Sequence, residues 1–354
     1  MPPSNSSKNR AVRLVWPVGS PKDINDLYLL HRDDFKAEFD KIVADSIAQA
    51  KPVLLLEPLS NYLDEILAFL QRMAGDVWAG IPSGYPAFDI FTNGLQGIVL
   101  LGGPPKVGKS MFALSIAAHA AEQGHPVILF DFENGRRKIA VRLLSRLSGI
   151  SNRDILLQSH QLTGSSSFDR VAMQFRTTGQ NLFVRRPSLT EVAAGNRADL
   201  ESLHRLFETY VRCIREDIGN DRPPLIVIDS LQKLPLWNMA DRRGNIDAWL
   251  RVFESVRDEL HVTFLIISEL SRGAYQTPTL ESFKESGDVE YTADLALHLT
   301  ATPALHNDTL LELRAVAHRD GEAGLIASYR PDYAHCRFLE VPNNDGLVRE
   351  LVRR

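Results

Sequence analysis

Short apolar runs alternate with helix-length amphipathic stretches along most of this chain. Since a strand that is buried on both faces reads as a continuous apolar run, the first runs predict strands at Ile98–Leu101, Val127–Phe132, Leu182–Arg185, Leu225–Asp229 and Thr263–Ser268. A later group, predicted to be antiparallel, comprises Leu295–Thr300, Leu310–Ala317, Ala323–Arg330 and Arg337–Val341. Strands that alternate with helices favour an α/β fold, with a mainly parallel twisted sheet between two layers of helices.

The N-terminal part of the chain has a different pattern. Residues 1–56 form a small mixed segment, with a strand-like Ala11–Trp16 and a helical pattern from Asp34 to about Gln49. Ser60 then precedes an amphipathic stretch, in which the residues at helical spacing are Leu63, Ile66, Leu67, Leu70 and Met73. Such a stripe is typical of a core-facing helix. The pattern therefore predicts a segment at 1–56, a helix at 57–77 and a large domain at 78–354.

Composition and charge narrow the classes of function. With 354 residues, of which 44% are hydrophobic, the chain can form one large domain or two moderate ones. It has no apolar stretch of the roughly 18 residues that span a membrane and no apolar signal core, so we expect a cytoplasmic protein. The net charge of −4 confines any nucleic-acid site to a loop or pore. Cys213 and Cys336 lack metal-ligand spacing, and we expect two buried reduced thiols.

The motif G-x-x-x-x-G-K-S at Gly103–Ser110 follows an apolar run and precedes a helical pattern. In this arrangement the backbone N–H groups of a glycine-rich turn wrap phosphates, and the N-terminus of the helix adds partial positive charge. Lys109 is expected to reach the β- and γ-phosphates, and the Ser110 hydroxyl to bind Mg²⁺. The expected nucleotide-binding residues are Gly103, Pro104, Pro105, Lys106, Val107, Gly108, Lys109, Ser110 and Met111. The motif therefore predicts a nucleoside triphosphate site.

Two acidic strand ends accompany this motif. Asp229 is expected at the sheet edge where α/β proteins bind ligands, where it can hold Mg²⁺ through water, although an isolated Asp there is more often a helix cap. Glu133 follows the strand after the phosphate loop and can polarise the attacking water, or alternatively cap the helix that starts near Arg136. Asp131 is expected to point to the other face of the strand, which makes it the weaker candidate base.

Further stretches keep a fixed order around these motifs: Gly80–Leu95, Leu129–Arg142, Leu225–Leu234, Ile267–Arg272 and Lys284–Asp294. They resemble the G-I-P-T-G entry, the strand-Glu-helix segment and the I-V-I-D-Y-L-Q-L, S-Q-L-N-R and R-E-S-G-S-I-E-Q-D-A-D motifs of the DnaB-family hexameric replicative helicases, including related phage primase-helicases. The resemblance covers about residues 78–341. It implies a RecA-like ATPase fold, ATP and Mg²⁺ as cofactors, and Glu133 as the catalytic base.

Two departures from that family concern mechanism. Where the family has a Gln that senses the γ-phosphate, this chain has Glu269, whose negative charge would repel phosphate unless it is protonated or paired. The family motif K-Q-R-N-G-x-x-G is matched by Ala317–Gly324, which keeps the arginine that reaches a neighbour's nucleotide as Arg319 but replaces the lysine by Ala317. Hydrolysis in trans then depends on Arg319, alone or with His318 or Arg314. The alternative for Arg319 is a solvated arginine at a hairpin tip.

The resemblance also implies partners. In the family, loops after two of the strands line a channel for single-stranded DNA; here they correspond to 237–245, with Arg242 and Arg243, and to 273–284, with Lys284. Basic pore residues suit phosphate contacts, although an Arg pair in a loop is usually only solvated. Residues 21–52 weakly resemble the tail of TOPRIM primase domains, which implies that this chain lacks primer synthesis. Residues 57–77 would then be a linker helix that docks on the next subunit.

The function that we expect from the sequence is a ring-forming, taken to be hexameric, DNA helicase for a plasmid, phage or integrated element. It would use ATP to translocate on single-stranded DNA, with a primase or helicase loader as a further candidate partner. A recombination-mediator ATPase is the alternative within the same fold. A KaiC-like accessory ATPase that does not unwind DNA is the alternative of another class, and Glu269 and Ala317 keep it open.

Overall fold

A computed structural model describes residues 21, 24–49, 59–73, 77–158, 165–186, 200–235, 241–270, 279, 283, 292–303 and 309–341. The chain divides into two units, Met1–Gly75 and Asp76–Arg354. In the smaller unit the helices are α1 Ile24–Leu30, α2 Phe35–Gln49 and α3 Leu63–Met73, the last preceded by a 3₁₀ turn at Leu59–Tyr62. The predicted strand Ala11–Trp16 lies outside the described residues.

The amphipathic stripe of α3 is not core-facing. Its side chains Leu63, Ile66, Leu67 and Leu70 are all exposed, so the sequence pattern is correct for the helix and wrong for the burial of its apolar face. Among the described residues, no helix combines the length and the apolar composition that crossing a bilayer requires.

The apolar runs of the larger unit form one sheet, in the strand order β3-β2-β4-β5-β1-β6-β7-β8-β9. The strands are β1 Ile98–Gly102, β2 Val127–Asp131, β3 Leu182–Arg185, β4 Leu225–Asp229, β5 Thr263–Ile267, β6 Leu295–Pro303, β7 Thr309–His318, β8 Gly324–Asp332 and β9 Arg337–Val341. Neighbours from β3 through β6 are parallel, and those from β6 to β9 are antiparallel. The predicted mainly parallel sheet with an antiparallel group is confirmed. Strand β6 runs beyond the predicted Thr300 because it continues to pair with β7 up to Pro303.

Helices cover both faces of this sheet, as predicted. They are α4 Pro86–Thr92, α5 Lys109–Glu122, α6 Arg136–Ser148, α7 Asn152–Leu157, α8 Ser166–Gln180, α9 Leu200–Arg212 and α10 Arg242–Leu260. Val99 and Leu101 pack with α5 on one face, whereas Ile98 and Leu100 pack with α9 and α10 on the other. Because β1 is buried on both sides, its carboxyl end is held rigidly between the two layers.

The two cysteines differ in burial. Cys336 is buried, as expected, but Cys213 is exposed. Cys213 begins a π-helical turn after α9 in which the next residue, Ile214, takes the buried position. The expectation of two buried thiols is therefore wrong for Cys213.

Candidate nucleotide site

The phosphate loop lies between β1 and α5. Gly103, Pro104, Pro105, Lys106, Val107 and Gly108 form the turn, and Lys109, Ser110 and Met111 begin the helix. Gly108 has φ 106°, and a Cβ there would lie 3.0 Å from the Tyr333 ring, so a side chain is excluded by strain and by space. The Tyr333 hydroxyl donates to the Val107 carbonyl at 3.1 Å. The turn after β8 therefore supports the loop from outside.

Lys109 is held inside this loop. Its ammonium donates to the carbonyls of Gly103 at 2.7 Å and Pro104 at 3.0 Å. Burial lowers the pKa of Lys109, and three carboxylates oppose this shift, which are those of Glu269, Asp229 and Glu133 in descending order. A single lysine thus has three acidic side chains within electrostatic range at the carboxyl edge of the sheet.

Asp229 is directly beside the first turn of α5. The Ser110 hydroxyl donates to its Oδ1 at 3.2 Å. The pKa of Asp229 is raised to about 6, chiefly by burial; the hydrogen bond from Ser110 opposes this shift, and the charges of Glu133 and Asp131 add to it. Neighbouring negative charges of this kind favour a divalent cation. Asp229 is not the cap of a helix, since the short 3₁₀ turn that follows has no side-chain cap.

The turn after β2 separates the roles of its two acidic residues. The Asp131 carboxylate accepts hydrogen bonds from the backbone N–H groups of Asn134, at 3.0 Å, and Gly135. Asp131, and not Glu133, therefore stabilises the start of α6, and Glu133 is exposed. The expectation that Asp131 points to the other face is wrong: it is paired in register with Asp229, and both line one small cavity with Ser110. Asp131 is the poorer candidate base because its carboxylate oxygens already accept backbone hydrogen bonds, and not because its side chain points away from the site.

Gln232 was missed by the sequence reasoning. Its buried amide donates to the Ser268 hydroxyl at 3.0 Å and accepts from the Glu269 N–H at 3.0 Å. The backbone carbonyl of Gln232 accepts a hydrogen bond from the Arg242 guanidinium at 3.0 Å. Gln232 thus joins the end of β4 to the residues after β5 and to the start of α10. The available signal was a Gln three residues after the strand-end Asp, inside the stretch that resembles I-V-I-D-Y-L-Q-L.

Arg242 and Arg243 are exposed, but they do not lie in a loop. They form the first turn of α10, where Asp241 is the N-cap and accepts from the Gly244 N–H at 2.8 Å. The prediction of a loop through residue 245 is therefore wrong at its end, because Asp241 starts the helix earlier. Lys284 lies outside the described residues.

Arg319 lies in the turn after β7 and pairs with Asp294 at 2.7 Å. The Asp294 carboxylate also accepts from the Ile98 N–H at 2.7 Å and from Arg257 at 3.0 Å. Ile98 begins β1, whereas Lys109 follows its other end. Arg319 is therefore at the opposite edge of the sheet from the phosphate loop of its own chain. Its side chain is 48% exposed, so it is both ion-paired and accessible at a hairpin tip.

Arg314 and His318, which the sequence suggests could act together with Arg319, each contact a different residue. Arg314 pairs with Glu312 at 3.1 Å. The His318 ring stacks on Phe91, with the ring centroids 5.8 Å apart. Neither residue shares the contact that Arg319 makes with Asp294.

The donor set suits Mg²⁺ bound together with a triphosphate. Mg²⁺ is usually held by one or two carboxylates and by substrate phosphates, with water completing the shell, and Ser110 and Asp229 provide such a partial set. In the described part of the chain, no three His, Cys, Asp or Glu side chains gather in a way that could hold a metal ion by themselves. The residues therefore fit a cation that arrives with the nucleotide.

The chain is similar to known proteins over most of its length. The family model of the DnaB-like helicase C-terminal domain matches residues 80–335. The replicative DNA helicase DnaB of Leifsonia xyli subsp. xyli (strain CTCB07) is 26% identical over 287 residues, which are 78% of this chain and 56% of that protein. The replicative DNA helicase DnaC of Bacillus subtilis (strain 168) is 24% identical over 313 residues, 83% of this chain and 64% of that protein. The chain thus spans less than two thirds of the length of these relatives.

Solved structures share the fold. One of them, described as an ATPase domain, has a TM-score of 0.66 at 20% identity, and the match covers 81% of this chain and 100% of that chain. A DnaB-like replicative helicase, whose structure is described with its interactions with primase, has a TM-score of 0.65 at 20% identity, and the match covers 90% of this chain and 76% of that chain. The expected RecA-like ATPase fold is confirmed.

Proposed function

The chain belongs to the DnaB-like helicase C-terminal domain family, and we propose that it hydrolyses ATP to move along single-stranded DNA and to unwind duplex DNA. The observation that carries the proposal is the cluster of Lys109, Ser110 and Asp229 at the carboxyl end of β1 and β4, faced by Glu133 and Glu269. A lysine, a hydroxyl and a buried carboxylate in this arrangement are the parts that phosphoryl transfer requires.

Each residue then has one task in hydrolysis. Lys109 moves from the loop carbonyls to the β- and γ-phosphate oxygens, where its charge stabilises the transition state. Ser110 and Asp229 would hold Mg²⁺, which would neutralise charge on the phosphates when bound. Glu133 accepts a proton from the attacking water, because Asp131 is occupied by the turn. Glu269 occupies the position of the γ-phosphate sensor.

Assembly of several copies completes the site. Arg319 cannot contribute to its own phosphate loop from the far edge of the sheet, so we propose that it reaches the nucleotide of a neighbour in a homo-oligomeric, hexameric ring. Single-stranded DNA would pass along Arg242, Arg243 and Lys284. One solved relative is described with primase, and a primase or a loader is a proposed partner here. Replication of a plasmid, phage or integrated element is the proposed setting.

One observation favours a second candidate. Glu269 places a carboxylate in range of Lys109, where it competes with phosphate, and slow hydrolysis would suit an ATPase that switches an assembly without unwinding DNA.

Two assays on the same preparation separate these functions. ATP hydrolysis is measured with and without single-stranded DNA, and displacement of a strand from a forked duplex is measured in parallel, with Lys109→Ala as the inactive control. A helicase requires DNA stimulation and ATP-dependent displacement. Stimulation without displacement would favour a recombination-type ATPase, and the absence of both would favour the accessory ATPase.

A further inference from the structure

A second cavity lies beside the nucleotide site, at the carboxyl ends of β2 and β3. Its volume is about 280 Å³, and its lining residues are Asp131, Gly135, Arg136, Val184, Arg185 and Arg186. Three of these residues are arginines. Among the lining residues Asp131 is the one carboxylate, and Asp131 also lines the small cavity at Ser110 and Asp229. The two cavities are therefore neighbours that share one wall.

Positive charge predominates around this cavity. Helix α6 begins with Arg136, Arg137 and Lys138, and there is no acidic residue in its first turn, all of which the structure describes. The N-terminus of a helix has partial positive charge and favours anions, so three cations there repel it. Arg185 and Arg186 add two more at the end of β3. The nearby Asp131 carboxylate is already occupied by the N–H groups of Asn134 and Gly135.

Two of the three arginines are held in place before any ligand binds. Arg185 donates to the Tyr210 hydroxyl at 3.0 Å and lies over its ring, 5.1 Å from the centroid. Arg136 donates through Nε to the Val184 carbonyl at 3.2 Å. This bond orients the guanidinium of Arg136 and uses one of its five donors, and a guanidinium so oriented suits two phosphate oxygens. Fixing these side chains in advance lowers the entropy cost of binding.

We propose that this arginine cavity binds the phosphate groups of a small phosphorylated molecule, separately from the ATP held by Lys109. Phosphate is favoured over a carboxylate because several guanidinium groups lining one cavity match its charge and its several acceptor oxygens. A small molecule is favoured over a DNA strand because the site is a concave cavity of limited volume, and such cavities are typical of small-ligand sites. The cavity borders the turn that carries Glu133, so occupancy would be felt at the proposed catalytic base.

The test uses inorganic triphosphate as the probe and Lys109→Ala as the background, because that substitution weakens binding at the phosphate loop. Titration calorimetry should detect one bound triphosphate per chain. Adding Arg136→Gln and Arg186→Gln together should weaken binding by ~10-fold or more, since two charged hydrogen-bond donors are lost. Both side chains are exposed, and thermal denaturation checks that the variant stays folded.

Arg137→Gln is the matched control. It removes one charge from the same helical turn but lies outside the cavity lining, and it should change the affinity by no more than about twofold. An equal loss in this control would overturn the proposal, because it would reduce the effect to general electrostatics. Absence of triphosphate binding would overturn it too. Displacement of the probe by an oligonucleotide without terminal phosphates would assign the arginines to a DNA backbone and reject the small ligand.

Discussion

At the scale of single residues, Lys109 and Glu133 separate nucleotide binding from hydrolysis. Lys109→Ala should abolish ATP binding at the phosphate loop or its hydrolysis, because it removes the cation at the centre of the loop. Glu133→Gln should retain binding and lose hydrolysis, because Glu133 is exposed, caps no helix, and lies within electrostatic range of Lys109. Nucleotide binding and steady-state hydrolysis, measured on both variants, test this. Hydrolysis by Glu133→Gln at the parent rate would exclude Glu133 as the base.

Glu269 allows a second prediction at this scale. Glu269→Gln removes a negative charge that competes with phosphate for Lys109 and leaves the backbone bond to Gln232 in place. Lowering the repulsion by roughly 1 kcal/mol for an exposed carboxylate should reduce the KM for ATP about fivefold. Steady-state kinetics measure it, with Glu122→Gln as a control on α5 away from the site. An unchanged or higher KM would mean that Glu269 assists nucleotide binding.

At the scale of secondary-structure elements, Gln232 connects the nucleotide site to helix α10. Its side chain is hydrogen-bonded to the residues after β5, and its backbone carbonyl accepts a hydrogen bond from Arg242. A shift of the β4 end would therefore move the first turn of α10. This contact gives the two arginines a physical route by which nucleotide state can alter their position.

The corresponding prediction concerns DNA. Replacing Arg242 and Arg243 by Ala should weaken single-stranded DNA binding about equally across sequences, and each lost phosphate contact should reduce the log–log salt slope by roughly 0.7. Basal hydrolysis without DNA should change little, because neither side chain touches the phosphate loop. A salt titration of DNA affinity, beside basal and DNA-stimulated rates, checks this. An unchanged slope with normal stimulation would assign both residues to solvent.

The elements also show what the sequence could predict. The central strands β1, β2, β4 and β5 were predictable because burial on both faces requires apolar runs, and the phosphate loop because its glycines and lysine have fixed spacing. The start of α10 was missed, since Arg-Arg-Gly after Asp241 has the composition of a loop and capping by Asp241 outweighs it. The role of Gln232 depends on contacts between distant segments, which local patterns do not contain. The face of Asp131 could have been predicted, because residues two apart, such as Asp131 and Glu133, share a face of an extended strand.

At the scale of the whole molecule, the sheet separates the phosphate loop from Arg319. The phosphate loop follows the last residue of β1. Arg319 pairs with Asp294, and Asp294 accepts a hydrogen bond from the N–H group of Ile98, the first residue of β1. If Arg319 acts in hydrolysis as proposed, two copies must meet, with the loop edge of one against the arginine edge of the other, to complete a site. Such a head-to-tail contact closes into a ring when its rotation permits.

This separation predicts complementation between two inactive variants. Arg319→Ala should lose roughly 10³-fold or more of hydrolysis, as for arginine fingers in related triphosphatases. Arg257 still pairs with Asp294 in that variant, so the fold should survive. In an equal mixture of Arg319→Ala and Lys109→Ala subunits, about a quarter of the interfaces combine an intact loop with an intact arginine, and rings should recover activity in that proportion. Rings that contain only Arg319→Ala subunits or only Lys109→Ala subunits are the controls. Verified mixed rings without any recovery would exclude action in trans, because the hybrid interfaces would then hold every required group and still fail.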